Sequence, residues 1–396
     1  MDWHLECSGC AVNYPPDGLM AVCPECGSPF LVRYPLRNHG MIERAEVRRR
    51  HGMWRFRSFL PLDPDEEPIT LGEGDTPLLA APRLASALNL GRLFIKDESA
   101  NPTGSFKARG MSAAFTRAVR AGATSFTLPT AGNAGVAAAA YGARAGMPVK
   151  VFAPRSTPTT ILAQIRAFGG DLVLLDGHIG DCGKASRAWA AEHGAVDLST
   201  LREPYRIEGK KTLALEIAMQ SNWTMPDAIV YPTGGGTGLI GMWKGFQELL
   251  AAGWVSGALP RMYSVQAAGC APIVRAFEAG ASQAEPWNDP ITAASGLRVP
   301  AALGDALILQ AIAESGGAAV AVEEATLLEL AGFATRQEGI DFAPEGGAAV
   351  AGALELQRRG AIGPDDRVVV FNTGAGWLYR ATPELPGSAL GEIFPG

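Results

Sequence analysis

From Arg92 to Phe371, short apolar β-rich runs alternate with longer helical patterns, and this alternation most constrains how the chain can fold. Residues 92–96, 126–128, 149–152, 172–175, 228–231, 262–265 and 367–371 read as strands. Residues 105–120, 134–145, 159–168, 239–250 and 346–358 read as helices. Strand and helix in strict succession mean parallel strands joined by helical crossovers. That predicts an α/β architecture of doubly wound domains with helices on both sheet faces. Ligands in such folds sit beyond the carboxyl ends of the strands, so chemistry is expected in the loops that follow them.

A chain of 396 residues exceeds what one core usually organises. The expected division is a small module over 1–35, a linker and helix over 36–75, a body over 76–380 and a tail over 381–396. The body should contain a smaller α/β subdomain at about 108–210. The linker carries Arg44, Arg48, Arg49 and Arg50, then the Pro- and acid-rich run 61–68. A net charge of −6 without a Lys/Arg block argues against nucleic acid as a partner. Apolar runs such as 137–140 are too short to span a bilayer. The start, Met1 to Glu6, lacks the basic and apolar regions of a signal peptide, so a cytoplasmic protein is expected.

Four post-strand loops carry the candidate chemistry. After 92–96, Pro102 and Gly104 punctuate a loop, and Ser105 reads as an N-cap, placing Lys107 in the first turn of a helix. The positive field there disfavours the ammonium form, which suits an amine that attacks a carbonyl. A solvated surface lysine is the plain alternative. After 126–128, Asn133 stands near a helix start, where it can cap or offer its amide to a ligand oxygen. After 228–231, Gly234, Gly235, Gly236, Thr237 and Gly238 lead into a helix, the strongest phosphate signal in the chain. Gly236, Gly238 and Gly241 also fit a dinucleotide fingerprint. The next strand ends in Val265-Gln266-Ala267-Ala268, however, without the acid a ribose needs, and no Walker lysine follows. After 367–371, Thr373 can offer a neutral hydroxyl to a ring nitrogen or simply belong to a Gly-rich turn. An amine, a phosphate cradle, an amide and a hydroxyl together suit pyridoxal phosphate.

Cys7-x-x-Cys10 and Cys23-x-x-Cys26 stand twelve residues apart, the spacing of a structural zinc ribbon with no coordination position left for catalysis. A redox pair is the alternative. Cys182 and Cys270 read as packing residues. His4, His39, His51, His178 and His193 lie outside every loop above, so a Ser-His-Asp mechanism finds no support.

In the stretches 96–110, 129–135, 208–212, 231–241, 295–300, 344–346 and 372–376 the chain resembles the threonine synthases, within the tryptophan-synthase-β-like, fold type II pyridoxal-phosphate enzymes. The resemblance implies that Lys107 is the Schiff-base lysine and that Gly234 to Gly238 wrap the cofactor phosphate. It also implies that Asn133 meets the ring hydroxyl and Thr373 the ring nitrogen. The implied activity is a lyase reaction, conversion of O-phospho-L-homoserine and water to L-threonine and phosphate, in a homodimer. A phosphorylated amino acid needs cations; Arg109, Arg155, Lys184, Arg202, Lys210 and Lys211 are available, and Glu345 can act in support. Two positions depart from the family pattern. Ala108 stands where an acid is usual, and Ala131 where a serine is usual. They leave open a serine or threonine dehydratase or a cysteate-synthase-like enzyme. An inactive zinc-ribbon binding protein is the reading from another class, and an intact Lys107 argues against it.

Overall fold

A computed structural model describes residues 3–36 and 41–380, the side chains of 41–43 excepted. His39 and the expected tail lie outside the described residues. The fold is α/β. A six-stranded sheet runs in the order Ala319–Val322, Arg261–Ala267, Ala228–Pro232, Arg367–Asn372, Arg92–Asp97, Leu78–Ala80. Its strands pair in parallel except the last, which is antiparallel at the edge. A four-stranded parallel sheet has the order Asp171–Leu175, Val149–Pro154, Phe126–Pro129, Val196–Asp197.

Alternation along each strand explains the two helical layers of the larger sheet. Val368 and Val370 enter one core with Leu327, Val350 and Leu356. Val369 and Phe371 enter the other with Ile217, Leu239 and Phe246. A strand buried on both faces must be continuously apolar, as 367–371 is. Around the smaller sheet, Ala108, Ala114, Ala137 and Ala138 are fully buried. These small side chains let helices Lys107–Arg120 and Asn133–Ala145 pack closely with Phe115 and Phe126.

The amino-terminal module is a three-stranded antiparallel sheet, Asn13–Tyr14, His4–Cys7, Phe30–Arg33. It has no separate core: Leu5, Phe30 and Val32 pack with Ala113 and Tyr205 of the body. Tyr34 just beyond it donates a 2.6 Å hydrogen bond to buried Glu208. Its ring lies under the ammonium groups of Lys211 and Lys244. The module is thereby docked on helices Lys107–Arg120 and Tyr205–Gln220.

Candidate active site

Lys107 opens helix Lys107–Arg120, but Ser105 is not its N-cap. Ser105 pairs across an antiparallel bridge with Gly374, and the Phe106 amide donates to the Thr373 carbonyl at 3.0 Å. This holds Ser105 extended, so the helix begins after Phe106 and the Ser105 hydroxyl stays buried without a partner. The same bridge joins the lysine loop to the Thr373 loop.

The four loops meet. Lys107, Asn133, Gly234, Gly235, Gly236, Thr237, Gly238 and Thr373 line one cavity at the carboxyl ends of the strands. Thr200, Tyr231, Glu345 and Tyr379 join them. Nothing in the sequence singled out Tyr379, which is brought in by a short helical turn, Gly376–Tyr379, after the last strand. Glu345, expected from the resemblance only in a supporting role, lies on the cavity wall. It is buried and accepts from the Gly296 amide at 2.7 Å and the Tyr379 hydroxyl at 2.9 Å. The Asn133 amide reaches the Tyr379 hydroxyl at 3.5 Å, completing a line of polar groups along the cavity wall.

The electrostatics favour a reactive amine. Burial, then the positive charge of Arg206, lowers the Lys107 pKa to about 7, while Glu345 pulls it upward. Desolvation, which the sequence alone could not supply, is the largest of these causes. Burial in turn raises the Glu345 carboxyl above its usual range. Arg206 was not among the cations picked from sequence; it is buried and held by the Leu198 carbonyl.

Most of the cations that the sequence offers for the substrate phosphate are engaged elsewhere. Arg109 is consumed by Glu98 and Glu216, and Lys211 by Glu208 and Glu248. Lys210 donates to the Phe106 carbonyl. Arg155 pairs with Asp176, and Lys184 lies near Asp181, at the surface. Arg202 lines a different cavity. Buried Cys182 and Cys270 have thiols pushed up by burial, as packing residues should.

The glycine loop is shaped by close approach. A Cβ on Gly234 would lie 2.1 Å from the Gly296 carbonyl oxygen, and one on Gly238 2.0 Å from the Tyr231 hydroxyl. Gly236 has φ +79° and caps helix Thr237–Ala251 without any side-chain hydrogen bond. Free amides at that helix start face the cavity end where an anion binds best. Gln266, in the place a dinucleotide acid would take, is occupied by the Ile273 and Val274 amides and the Thr233 carbonyl.

Several buried polar atoms without partners lie here. Asn133 Oδ1, Tyr231 Oη and Glu345 Oε2 border the cavity, and Ser105 Oγ and Ser295 Oγ adjoin it. Buried polar groups are rarely left unpaired unless a ligand completes them. Amine, amide and hydroxyl groups around a glycine cradle fit pyridoxal phosphate, so these residues can hold it.

Comparison with known proteins agrees. The family model described as "Pyridoxal-phosphate dependent enzyme" matches residues 69–374. The chain is 34% identical over 373 residues to threonine synthase of Methanosarcina acetivorans, covering 94% of this chain and 91% of that protein. It is also 34% identical over 374 residues to threonine synthase of Methanocaldococcus jannaschii, with 94% and 92% covered. In fold it is similar to maize serine racemase, with a TM-score of 0.67 at 20% identity, covering 76% of this chain and 88% of that one. Tomato (Solanum lycopersicum) threonine deaminase isoform 2 gives 0.63 at 21%, with 76% and 83% covered. With one cavity uniting the lysine, the glycine cradle and the unpaired polar atoms, the chain belongs to the pyridoxal-phosphate-dependent enzymes.

Proposed function

We propose that this enzyme is a threonine synthase, converting O-phospho-L-homoserine and water to L-threonine and phosphate. The observation that carries this reading is 34% identity to archaeal threonine synthases over 94% of the chain, far beyond the loops shared by the whole cofactor class. Bound pyridoxal phosphate supplies an electron sink for the substrate's α-carbon. Lys107 would hold its aldehyde end, Gly234, Gly235, Gly236, Thr237 and Gly238 its phosphate, Asn133 its ring hydroxyl and Thr373 its ring nitrogen. A hydroxyl partner leaves that nitrogen unprotonated, which tempers the sink and suits elimination and replacement at the β and γ carbons.

Lys107, with its pKa near 7, can take a proton at one substrate carbon and return it at the next. Glu345 steadies the lysine's charged form between transfers; Tyr379 and Gly296 hold Glu345 in place. Buried Arg206 does not line the cavity, but its charge reaches Lys107 and favours the neutral amine. Phosphate would depart from Cγ and water add at Cβ.

Incubating the holoenzyme with O-phospho-L-homoserine should release phosphate and threonine in equal amounts. Release of neither, from protein whose visible cofactor band is intact, would sink the threonine synthase reading and leave the cofactor site standing. A dehydratase or β-replacement enzyme is the second reading. It is favoured by Ala131, which shares a small neighbouring cavity with Ser156 and Arg298 and brings no hydroxyl of its own. A 2-oxo acid formed from serine or threonine would select it.

The lowered lysine pKa has its own signature. The amine is reactive only when neutral, and that fraction grows as pH rises. Uptake of pyridoxal phosphate by the apoenzyme should therefore quicken through pH about 7 and then level off. A rate still climbing toward the ordinary lysine value of 10.5 would contradict the assignment.

The four cysteines are proposed to hold structural zinc. Their sulfur atoms all lie within 4.8 Å of one another, with Cys7 and Cys26 3.3 Å apart and Cys10 and Cys23 3.7 Å apart. A tetrahedron with Zn–S of about 2.3 Å has edges of roughly 3.8 Å. A chelator under reducing conditions should remove one zinc per chain and lower the thermal midpoint by about 2 °C or more. An unchanged midpoint after proven metal loss would leave the ion without a structural role.

A further inference from the structure

A roomy cavity lies apart from the catalytic one. About 470 Å³ lies between the amino-terminal module and the body, within the range of small-molecule sites. Its walls are the loop with Leu19 and Met20, the far end of helix Lys107–Arg120, the end of helix Ile179–His193, and the segment 194–205. Alanines dominate: Ala114, Ala118, Ala121, Ala190 and Ala191 give the concavity its apolar surface.

Its charges are unevenly satisfied. Arg187 and Arg202 line the cavity, and neither has a hydrogen bond or ion pair from its side chain among the described residues. Arg117, about nine-tenths buried, is by contrast held, paired with Glu66 through Nη1 and lying over the Trp3 ring. The two acids on the wall are already engaged. Glu203 accepts from the amides of Tyr205 and Arg206, and Asp197 from the amide and hydroxyl of Ser199. The unmet demand is therefore for an acceptor with negative charge, beside a surface that favours hydrocarbon.

We propose that this cavity is a second ligand site that takes a small carboxylate with a branched or straight apolar tail. The guanidinium groups of Arg187 and Arg202 meet the carboxylate, and the alanine wall covers the tail. Simple carboxylic acids and apolar α-amino acids share this chemistry. They differ in an ammonium group, which the remaining oxygen of Asp197 is placed on the wall to receive.

The site is independent of the reaction assigned above, so its test does not require turnover. Calorimetric titration of the holoenzyme with 4-methylpentanoate and with L-leucine measures both sources. Saturable binding of 4-methylpentanoate is expected, weakened about tenfold or more in the Arg187→Gln/Arg202→Gln double variant. Both arginines are unpaired and partly exposed, so that variant should keep its fold and its visible cofactor band. Tighter binding of L-leucine would assign the ammonium contact, and equal binding would assign the carboxylate and tail alone. No binding of either up to about 10 mM overturns the proposal. So does binding that the double variant leaves unchanged, since the ligand would then sit elsewhere, the catalytic cavity included.

Discussion

Replacing Lys107 by alanine is expected to cost on the order of 10⁴-fold in turnover while the protein still folds and still binds pyridoxal phosphate weakly. The amine at the cavity wall has a pKa of about 7, and its removal leaves the glycine cradle untouched. Phosphate binding rests on backbone amides of Gly234 to Gly238 and on the start of helix Thr237–Ala251, none of which touches the lysine side chain. The visible band of the covalently held cofactor should vanish, and phosphate-dependent retention should persist. Lys107→Arg is the discriminating companion. It keeps the charge and loses the nucleophile, so it should be as inactive as the alanine variant. An alanine variant with wild-type absorbance and turnover would remove the basis for the whole site.

The second large effect concerns stability. Arg109 stands two residues beyond Lys107 and is completely buried. Its guanidinium bonds Glu98 through Nε at 2.7 Å and Glu216 through Nη2 at 2.7 Å, with Thr76 and Thr212 filling its other donors. Lys96 adds one bond to Glu216 at 2.8 Å. Arg109→Ala leaves two buried carboxylates with a single cation between them, and should lower unfolding free energy by about 3–5 kcal/mol. Denaturant titration of the holoenzyme would show this as a lower midpoint at unchanged slope.

Proton linkage gives an independent check on the same network. The positive charge of Arg109 holds the Glu98 and Glu216 carboxyls below their usual range. The unfolded chain therefore binds more protons in acid. The stabilisation is present above the ordinary carboxylate pKa of about 4.5 and is lost as pH falls through the folded values. Without Arg109 that acid sensitivity should be largely gone. A loss under about 1 kcal/mol would mean that water reaches the network and screens it.

The contrast between Arg109 and Arg206 shows where sequence reading stops. Arg109 lies in the lysine motif and Arg206 just ahead of the stretch 208–212, and both are buried cations. Arg109 is used up by Glu98, in its own loop, and by Glu216, far along the chain. Arg206, overlooked in the sequence, is the one whose charge reaches Lys107. Local sequence cannot report which acid folds against which base, because the pairing depends on how helix Tyr205–Gln220 crosses helix Lys107–Arg120. Ser105 makes the same point about the backbone. Its residue type favours an N-cap, but the bridge to Gly374, some 270 positions away, holds it extended instead. Tertiary hydrogen bonding overrode local propensity.

The sequence by itself determined the alternating architecture, the cofactor class and the residues of the four loops. Those depend on periodicity, on glycine's missing Cβ and on the chemistry of individual side chains, all local properties. Only the tertiary structure brought Tyr379 to the cavity beside Glu345, set the charge of Arg206 rather than Arg109 on the lysine, and buried that lysine so that its pKa falls. Desolvation and charge pairing are set by what surrounds a group in space, and those neighbours come from distant parts of the chain.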